Sequence, residues 1–368
     1  MEFKTLQENF LTALQTAARF ISSKPQLPIL NSFELEVTQD NLGILFATDL
    51  QLGIKIKFPV TTLQPGKIII PSKLVTEVVS SNSPGEMMCS VKDGRFSVKT
   101  VKTKAHFQTS PAEDYPVFPQ KEGEEIKFPR QVFQEVDQQI VFTASKDETR
   151  PVLTGVSFVM GESLEVAATD GYRLALMKQK MVSAKQYSIL FPARAIQEIS
   201  RVLSKTQLND VTFNFSEDLK QAFFSFENCE LVVRTLDGAF PSYQKIIPRE
   251  FKTVVSLDRD EFEHHVKTAL LFSRDISSVL RIHLEGSAMI LTAGSGATGE
   301  YEATLELDQK VESPAQIAFN GRFVSDILQR IRTKQVNFQM NDEMKPGVFS
   351  EVGNEQLLYV VMPFRLNS

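Results

Sequence analysis

The chain has 368 residues, with 40 lysine and arginine against 45 aspartate and glutamate residues and a net charge of −5. This length predicts two or three domains with a sizeable core. A hydrophobic fraction of 42% excludes a wholly disordered chain, and no apolar run approaches the roughly 18 residues of a membrane-spanning helix. The two cysteines, Cys89 and Cys229, lie far apart in the sequence, which predicts buried thiols in a reducing cytosol.

Three stretches of alternating apolar and polar residues recur along the chain, and each is interrupted by a polar or glycine turn. They begin at Leu30, Leu153 and Leu280, and the second reads LTGVSFVMGESLEVAATDGYRLALMKQ. Alternation with period two predicts antiparallel strands joined by tight turns. Segments with helical apolar spacing flank each stretch, two per copy, at 6–24 and 71–81, at 128–149 and 190–205, and at 257–275 and 319–334.

The spacing between equivalent positions is roughly 120 to 130 residues, far longer than a solenoid repeat. The sequence therefore predicts an α+β fold of three similar domains, each with two helices and antiparallel sheets. We expect these domains to span residues 1–121, 122–250 and 251–368.

Two of the predicted helices have a basic face opposite their buried stripe. In the second copy the helical spacing places Arg194, Arg201 and Lys205 together, and in the third copy it leaves four cations outside, Arg322, Arg330, Arg332 and Lys334. Glu198 and Asp326 interrupt these faces and would weaken their attraction for phosphate. A solvated helix face is the alternative interpretation.

Three motifs match patterns found at catalytic, nucleotide-binding or metal sites, but each is better explained by a structural role. The string from Gly294 to Gly299 matches GxGxxG, but a strand pattern follows it where a phosphate site needs a helix. Asp49 and Asp170 occupy the same place in two copies, which indicates turn formers and not a catalytic pair. His264 and His265 are adjacent on a helix and lack partners at metal-ligand spacing, so we expect them to face solvent.

Four strings of residues carry a family resemblance. LPILNSFELEV at Leu27–Val37, PAEDYP at Pro111–Pro116, ATDGYRLAL at Ala168–Leu176 and the terminal YVVMPFRL resemble the bacterial DNA sliding clamps, the beta subunits of DNA polymerase III. The resemblance covers essentially the whole chain. It implies a clamp fold that forms a ring as a head-to-tail homodimer, encircles double-stranded DNA without sequence specificity and acts as a cytoplasmic processivity factor. It implies no catalysis, cofactor, metal or membrane contact.

The resemblance also assigns residues to two contacts of the ring. The implied DNA-binding residues are Lys24, Lys73, Arg150, Arg194, Arg201 and Lys205. Pro151 and Val152 stand where the family often has aromatic residues, so this loop departs from the family pattern for DNA contact. The implied dimer interface contains Phe107, Leu270 and Leu271.

A pocket for short partner peptides is the third implied site. The implied partners are the replicative polymerase alpha subunit, the clamp loader, translesion polymerases and mismatch-repair proteins, through peptides with Gln and Leu or Phe anchors. Lys245 stands where Arg is common and Tyr172 where His is common, so peptide preference is expected to differ. The implied pocket residues are Leu153, Thr169, Gly171, Tyr172, Arg173, Leu174, Pro241, Lys245, Ile246, Asn320, Phe323, Met344, Pro346, Val360, Val361, Met362, Pro363, Phe364, Arg365 and Leu366.

Two other functional classes stay open at this stage. One is a catalytic α+β protein that uses Asp49 or Asp170 at an unrecognised site. The other is a triplicated scaffold that binds proteins and never DNA. The sequence has no paired acids placed for two metals, as nucleotidyl transfer would require.

Overall fold

The computed structural model describes residues 1–22, 27–181, 185–207, 209–273, 278–295 and 299–365. The helices in this part are α1 (Gln7–Ala17), α2 (Ser72–Ser81), α3 (Arg130–Gln139), α4 (Ala193–Leu203), α5 (Arg259–Phe272) and α6 (Gly321–Leu328). The strands are β1 (Glu2–Leu6), β2 (Ser32–Val37), β3 (Leu42–Thr48), β4 (Leu52–Pro59), β5 (Thr61–Gln64), β6 (Gly66–Pro71), β7 (Glu86–Lys92), β8 (Arg95–Lys99), β9 (Lys104–Gln108), β10 (Glu124–Pro129), β11 (Gly155–Met160), β12 (Leu164–Thr169), β13 (Arg173–Gln179), β14 (Tyr187–Pro192), β15 (Asp210–Ser216), β16 (Gln221–Ser225), β17 (Cys229–Arg234), β18 (Thr253–Asp258), β19 (Val279–Glu285), β20 (Ala288–Ser295), β21 (Gly299–Glu306), β22 (Ala315–Asn320), β23 (Gln335–Met340), β24 (Gly347–Glu351) and β25 (Leu357–Val361).

The chain divides into two compact units, one of residues 1–132 with 198–235 and one of residues 133–197 with 236–368. Every strand pair among the described residues is antiparallel. Each predicted repeat contains two of the helices. The α+β prediction is therefore confirmed.

The first unit contains a five-stranded sheet, β5-β1-β7-β8-β9, and an eight-stranded sheet, β10-β15-β16-β17-β4-β3-β2-β6. The larger sheet combines strands from two predicted repeats, because β17 pairs with β4 and places Leu231 opposite Ile54. Helix α1 packs against α2 and β4. Phe10, Leu14 and Ala17 of α1 are buried, and the Phe10 ring stacks on Phe58 with centroids 5.4 Å apart.

The second unit contains an eight-stranded sheet, β14-β11-β12-β13-β25-β24-β23-β18, and a four-stranded sheet, β21-β20-β19-β22. Helix α5 packs against α6 and β20. Both helices begin at a side-chain cap, since the Asp258 carboxylate accepts the Glu261 N–H and the Asn320 amide oxygen accepts the Arg322 N–H, each over 3.0 Å. These caps fix the start of each helix where a strand ends.

Three predicted helices are shorter than their apolar spacing indicated. The segment 6–24 is α-helical only to Ala17, and the segment 128–149 ends its α-helix at Gln139. The helix of segment 319–334 ends at Leu328, so the prediction that Arg330, Arg332 and Lys334 lie on its outer face was wrong, although Arg332 and Lys334 are exposed as expected and Arg330 is half-buried. The chain leaves the helix because Ile331 turns into the core and the Arg332 N–H donates to the Glu351 carboxylate over 2.7 Å.

Two further motif predictions meet the structure differently. β20 and β21 form the predicted hairpin, with Gly294 paired to Glu300, while 296–298 lie outside the described residues. His264 is exposed as expected, but the solvent-facing prediction was wrong for His265, which is half-buried with Nδ1 2.7 Å from the Tyr301 hydroxyl. No helix in the described part of the chain is long and apolar enough to cross a membrane.

Candidate functional site

The turn that contains Asp170 is built by its own side chains. One carboxylate oxygen of Asp170 accepts the backbone N–H groups two and three residues further on, both over 2.9 Å. Asp49 makes the same pair of bonds in the first repeat, over 3.0 and 2.8 Å. The turn-former prediction is thus confirmed for both residues. Gly171 has a φ of +92°, a conformation that glycine adopts at low cost.

This turn presents Tyr172 beside the C-terminal tail of the chain. Tyr172 is 63% exposed, and its ring stacks against that of Phe323 with centroids 6.4 Å apart. The Met362 N–H donates to the Tyr172 carbonyl over 2.8 Å, and the Phe364 N–H donates to the Ala318 carbonyl over 2.7 Å. Two backbone bonds therefore hold the tail against the start of β13 and the free edge of β22.

The floor below the tail is apolar. β25 pairs with β13 and sets Val360 opposite Leu174, and both side chains are buried with Tyr243 in one cluster. Ile246 follows Tyr243 by one turn and is exposed, as is Met344. The surface thus combines a fixed interior with large apolar side chains that face solvent.

Arg173 connects several elements below this surface through its guanidinium group. Its guanidinium donates to the Asp170 carboxylate over 3.0 Å, to the Asp326 carboxylate over 2.6 Å and to the Phe142 carbonyl over 3.1 Å. It also lies over the Phe323 ring, 4.7 Å from the centroid. Because the Arg173 side chain is only 11% exposed, it acts mainly as a support for the surface.

The remaining implied pocket residues divide by accessibility. Leu153, Thr169, Pro346 and Val361 are buried, and the Thr169 hydroxyl is used within the turn, where it accepts the Gly171 N–H over 3.0 Å. Leu366 lies outside the described residues. The exposed or half-buried members are Gly171, Pro241, Lys245, Asn320, Met362, Pro363, Phe364 and Arg365.

Both acids that interrupt the predicted basic faces are paired with arginine. The Glu198 carboxylate is almost completely buried and accepts two bonds from Arg19, over 2.6 and 2.8 Å, and one from Arg201 over 2.8 Å. Asp326 is held by Arg173. These acids are partly neutralised within the protein, so they oppose phosphate less than the sequence indicated. The same geometry engages part of the Arg201 guanidinium.

The implied DNA-binding residues that the structure describes occupy exposed positions in both units. Lys73 is the second residue of α2, and Lys205 follows the end of α4. Arg194 is exposed on the first turn of α4 and Arg150 is exposed in a loop. Lys24 lies outside the described residues.

The implied interface residues differ in what they can offer a second subunit. Phe107 is 7% exposed and packs against Phe96 with ring centroids 6.1 Å apart, so little of it is accessible. Leu271 is largely exposed near the end of α5, and Leu270 is half-buried close to Gly321.

Sequence reasoning missed the residues that hold the surface in place. Phe142 and Asp326 contact Arg173 although they are far from it in the sequence. Arg281 and His283 line a cavity beside the tail. The available signal for the last two was the alternation in β19, which places Arg281, His283 and Glu285 on its solvent face.

Comparison with known proteins defines the class of this fold. Solved structures from Thermotoga maritima (DNA polymerase III beta subunit, 25% identity, TM-score 0.92) and Bacillus subtilis (DNA polymerase sliding clamp, 24% identity, TM-score 0.94) each match over 100% of both chains. A Synechocystis protein named beta sliding clamp is 29% identical over 98% of both chains. The molecule is thus a three-domain clamp.

Family models narrow the assignment further. The N-terminal, central and C-terminal domain models of the DNA polymerase III beta subunit match residues 1–119, 127–242 and 244–365. The chain belongs to the DNA polymerase III beta subunit family, which confirms the resemblance. Its function is that of a sliding clamp, a non-catalytic processivity factor of DNA replication.

Proposed function

We propose that two copies of this chain join head to tail into a ring that encircles double-stranded DNA and captures partner peptides beside the C-terminal tail. Three similar domains per copy, over 1–121, 122–250 and 251–368, would supply the wall of the ring. Family membership supports this arrangement and a cytoplasmic location. The partners would be the replicative polymerase alpha subunit, the clamp loader, translesion polymerases and mismatch-repair proteins.

The exposed apolar surface around the tail is the observation that carries the partner proposal. Tyr172, Ile246, Met344 and Met362 are each between 38% and 63% exposed. Large apolar side chains that stay exposed around a rigid floor are typical of a peptide-docking surface. Methionine adapts to differently shaped partners, which suits a surface that must receive several peptides.

Contact with DNA is proposed for the exposed cations Lys73, Arg150, Arg194 and Lys205, with Arg201 and Lys24 as further members. Contacts of this kind bind phosphate without reading bases and weaken as salt increases. A modest number of such contacts suits a sliding ring, because retention then depends on closure around the duplex and not on affinity.

The subunit contact is proposed between two free sheet edges of opposite charge. β9 ends the five-stranded sheet and exposes Lys104 and His106, with Lys102 just before it. β21 ends the four-stranded sheet and exposes Glu300, Glu302 and Glu306. An unpaired edge exposes backbone donors and acceptors that a second copy can satisfy, and the charges favour β9 of one subunit beside β21 of its partner.

A topological experiment tests encirclement. Clamp loaded by a bacterial clamp loader onto nicked circular DNA should stay bound, and linearisation of the DNA should release it. Release at equal rates from circular and linear DNA would contradict encirclement, and absence of any DNA association would favour the protein-only scaffold. A chain that lacks Met362–Leu366 should retain circular DNA and lose capture of a polymerase-derived peptide.

Charge reversal tests the subunit contact. Two double charge reversals, Lys102→Glu with Lys104→Glu and Glu300→Lys with Glu302→Lys, should each raise the dissociation constant of the dimer by roughly 30-fold or more. A ring has two such subunit contacts, and the charges of each contribute about 1 kcal/mol. The combined four-residue variant should recover dimers in sedimentation velocity. Lys310→Glu is the matched control, and failure of the combined variant to recover would contradict the pairing of these edges.

A further inference from the structure

A cavity of about 660 Å³ lies beside the docked tail in the second unit. Arg281 and His283 of β19 and Gln316 of β22 line it, and Met344, Phe364 and Arg365 form part of its wall. A volume of this size accommodates several side chains. Arg281, His283 and Gln316 are outside the set of residues that the family resemblance assigned to the peptide pocket.

This cavity is continuous with the proposed peptide surface. Met344, Phe364 and Arg365 belong to both, and the Phe364 N–H bond to the Ala318 carbonyl fixes the tail at the edge of the four-stranded sheet. A peptide whose apolar anchors occupy the surface near Tyr172 and Met362 would therefore reach the cavity with the residues next to its anchors.

The charges of the cavity favour an anion. Arg281 and Arg365 are both exposed and form no ion pair with any carboxylate in the described part of the chain. Among the described residues that line the cavity, Glu343 carries the one carboxylate, and it already accepts a bond from the Gln316 amide over 3.1 Å. The described lining of the cavity thus carries two guanidinium groups and one engaged carboxylate. Guanidinium is well suited to bidentate bonds with a carboxylate.

We propose that this cavity, which we name the acidic-flank subsite, binds Asp or Glu side chains adjacent to the apolar anchors of partner peptides. The inference rests on the proposed peptide-binding function and adds a selectivity determinant to it. Partners would share their apolar anchors and differ in affinity according to the charge beside them. Arg281 is the residue that distinguishes the subsite from the peptide pocket itself.

Fluorescence anisotropy with synthetic peptides tests the subsite. Three labelled peptides carry the same Gln, Leu and Phe anchors and have acetylated and amidated ends. The first has two Glu residues before the anchors, the second has two Glu residues after them, and the third has Gln at the flanking positions on both sides. The full chain should bind one Glu peptide roughly three to ten times more tightly than the Gln peptide. Arg281→Gln should abolish this preference and leave affinity for the Gln peptide unchanged, which also shows that the variant is folded. Lys310→Gln, at another exposed cation, should retain the preference.

Each other outcome contradicts a defined part of the argument. If the chain binds all three peptides equally, the acidic-flank subsite is wrong and the peptide surface stands. If the preference persists in Arg281→Gln, or disappears equally in Lys310→Gln, the preference arises from long-range charge and the subsite is again wrong. If the chain binds none of the peptides, the proposed peptide surface itself is wrong.

Discussion

Replacement of Arg173 should destabilise the second unit more than any single change on the exposed part of the peptide surface. Arg173→Met keeps the aliphatic stem and removes the guanidinium. That group makes two carboxylate bonds and one carbonyl bond and lies over the Phe323 and Phe142 rings, 4.7 and 5.4 Å from their centroids. Its loss leaves the Asp170 carboxylate, which is only 17% exposed, without a compensating charge.

The size of the effect follows from the exposure of each partner. Breaking a buried ion pair from one side costs about 3–5 kcal/mol, whereas the Asp326 carboxylate is 46% exposed and its pair adds at most about 1 kcal/mol. Contact between the methionine sulfur and the aromatic rings offsets part of the lost cation–π interaction. We therefore expect Arg173→Met to lower the free energy of unfolding by about 3–4 kcal/mol.

Urea denaturation followed by far-ultraviolet circular dichroism measures this loss, and anisotropy with an anchor peptide measures the effect on the surface. Asp326→Asn is the matched control and should cost about 1 kcal/mol or less. Arg173→Lys should recover part of the stability, because it restores the charge without the fork geometry. A cost below 1 kcal/mol for Arg173→Met, or an equal cost for Asp326→Asn, would refute the assignment of Arg173 as the buried support.

Three further predictions concern residues away from the peptide surface. Burial raises the pKa of Glu34 above its ordinary value of 4.5, despite the ion pair with Lys67. The wild-type protein therefore loses stability as the pH rises through this raised pKa. Glu34→Gln should be at least as stable as the wild type at pH 7 in urea titrations, and this advantage should vanish below pH 4.5. Burial raises the pKa of Cys229 to about 12, so at pH 8 a disulfide reagent should label it only after unfolding, and rapid native labelling would contradict its burial. Gly123 has a φ of +93°, and an added Cβ would lie 2.0 Å from the Phe215 carbonyl oxygen; Gly123→Ala should cost roughly 2–4 kcal/mol in urea denaturation, and a neutral result would contradict the close approach.

The elements that depend on local pattern could be predicted from the sequence. Alternation located the strands of the stretches that begin at Leu30, Leu153 and Leu280, and the repeated Asp49 and Asp170 identified turns whose bonds lie within three residues. Each of the six predicted helical segments contains one of the helices in the described part of the chain. The end of α6 could not be predicted, because apolar spacing continues to Ile331 and only the long-range bond to Glu351 shows that the chain has left the helix.

The supports of the candidate site could not be predicted, because they connect residues far apart in sequence. Arg173 meets Asp326 through tertiary folding, and Glu198 meets Arg19 in the same way. A helical projection shows both acids as interruptions of a basic face, whereas the structure pairs them with arginines. Docking of the tail depends on a backbone bond from Phe364 to Ala318, for which side-chain pattern carries no signal.

The pairing of β4 with β17 delays completion of the large sheet during synthesis of the chain. Ile54 leaves the ribosome about 177 residues before its partner Leu231, which at synthesis rates of about 5–20 residues per second is a delay of roughly 9 to 35 s. During that interval the edge of β4 that later pairs with β17 stays unpaired and is open to non-native strand pairing. Lys55 and Lys57 alternate with the apolar residues of that strand, and such cations discourage premature self-association. These lysines therefore protect the nascent chain against self-association until β17 has been synthesised and can pair with β4.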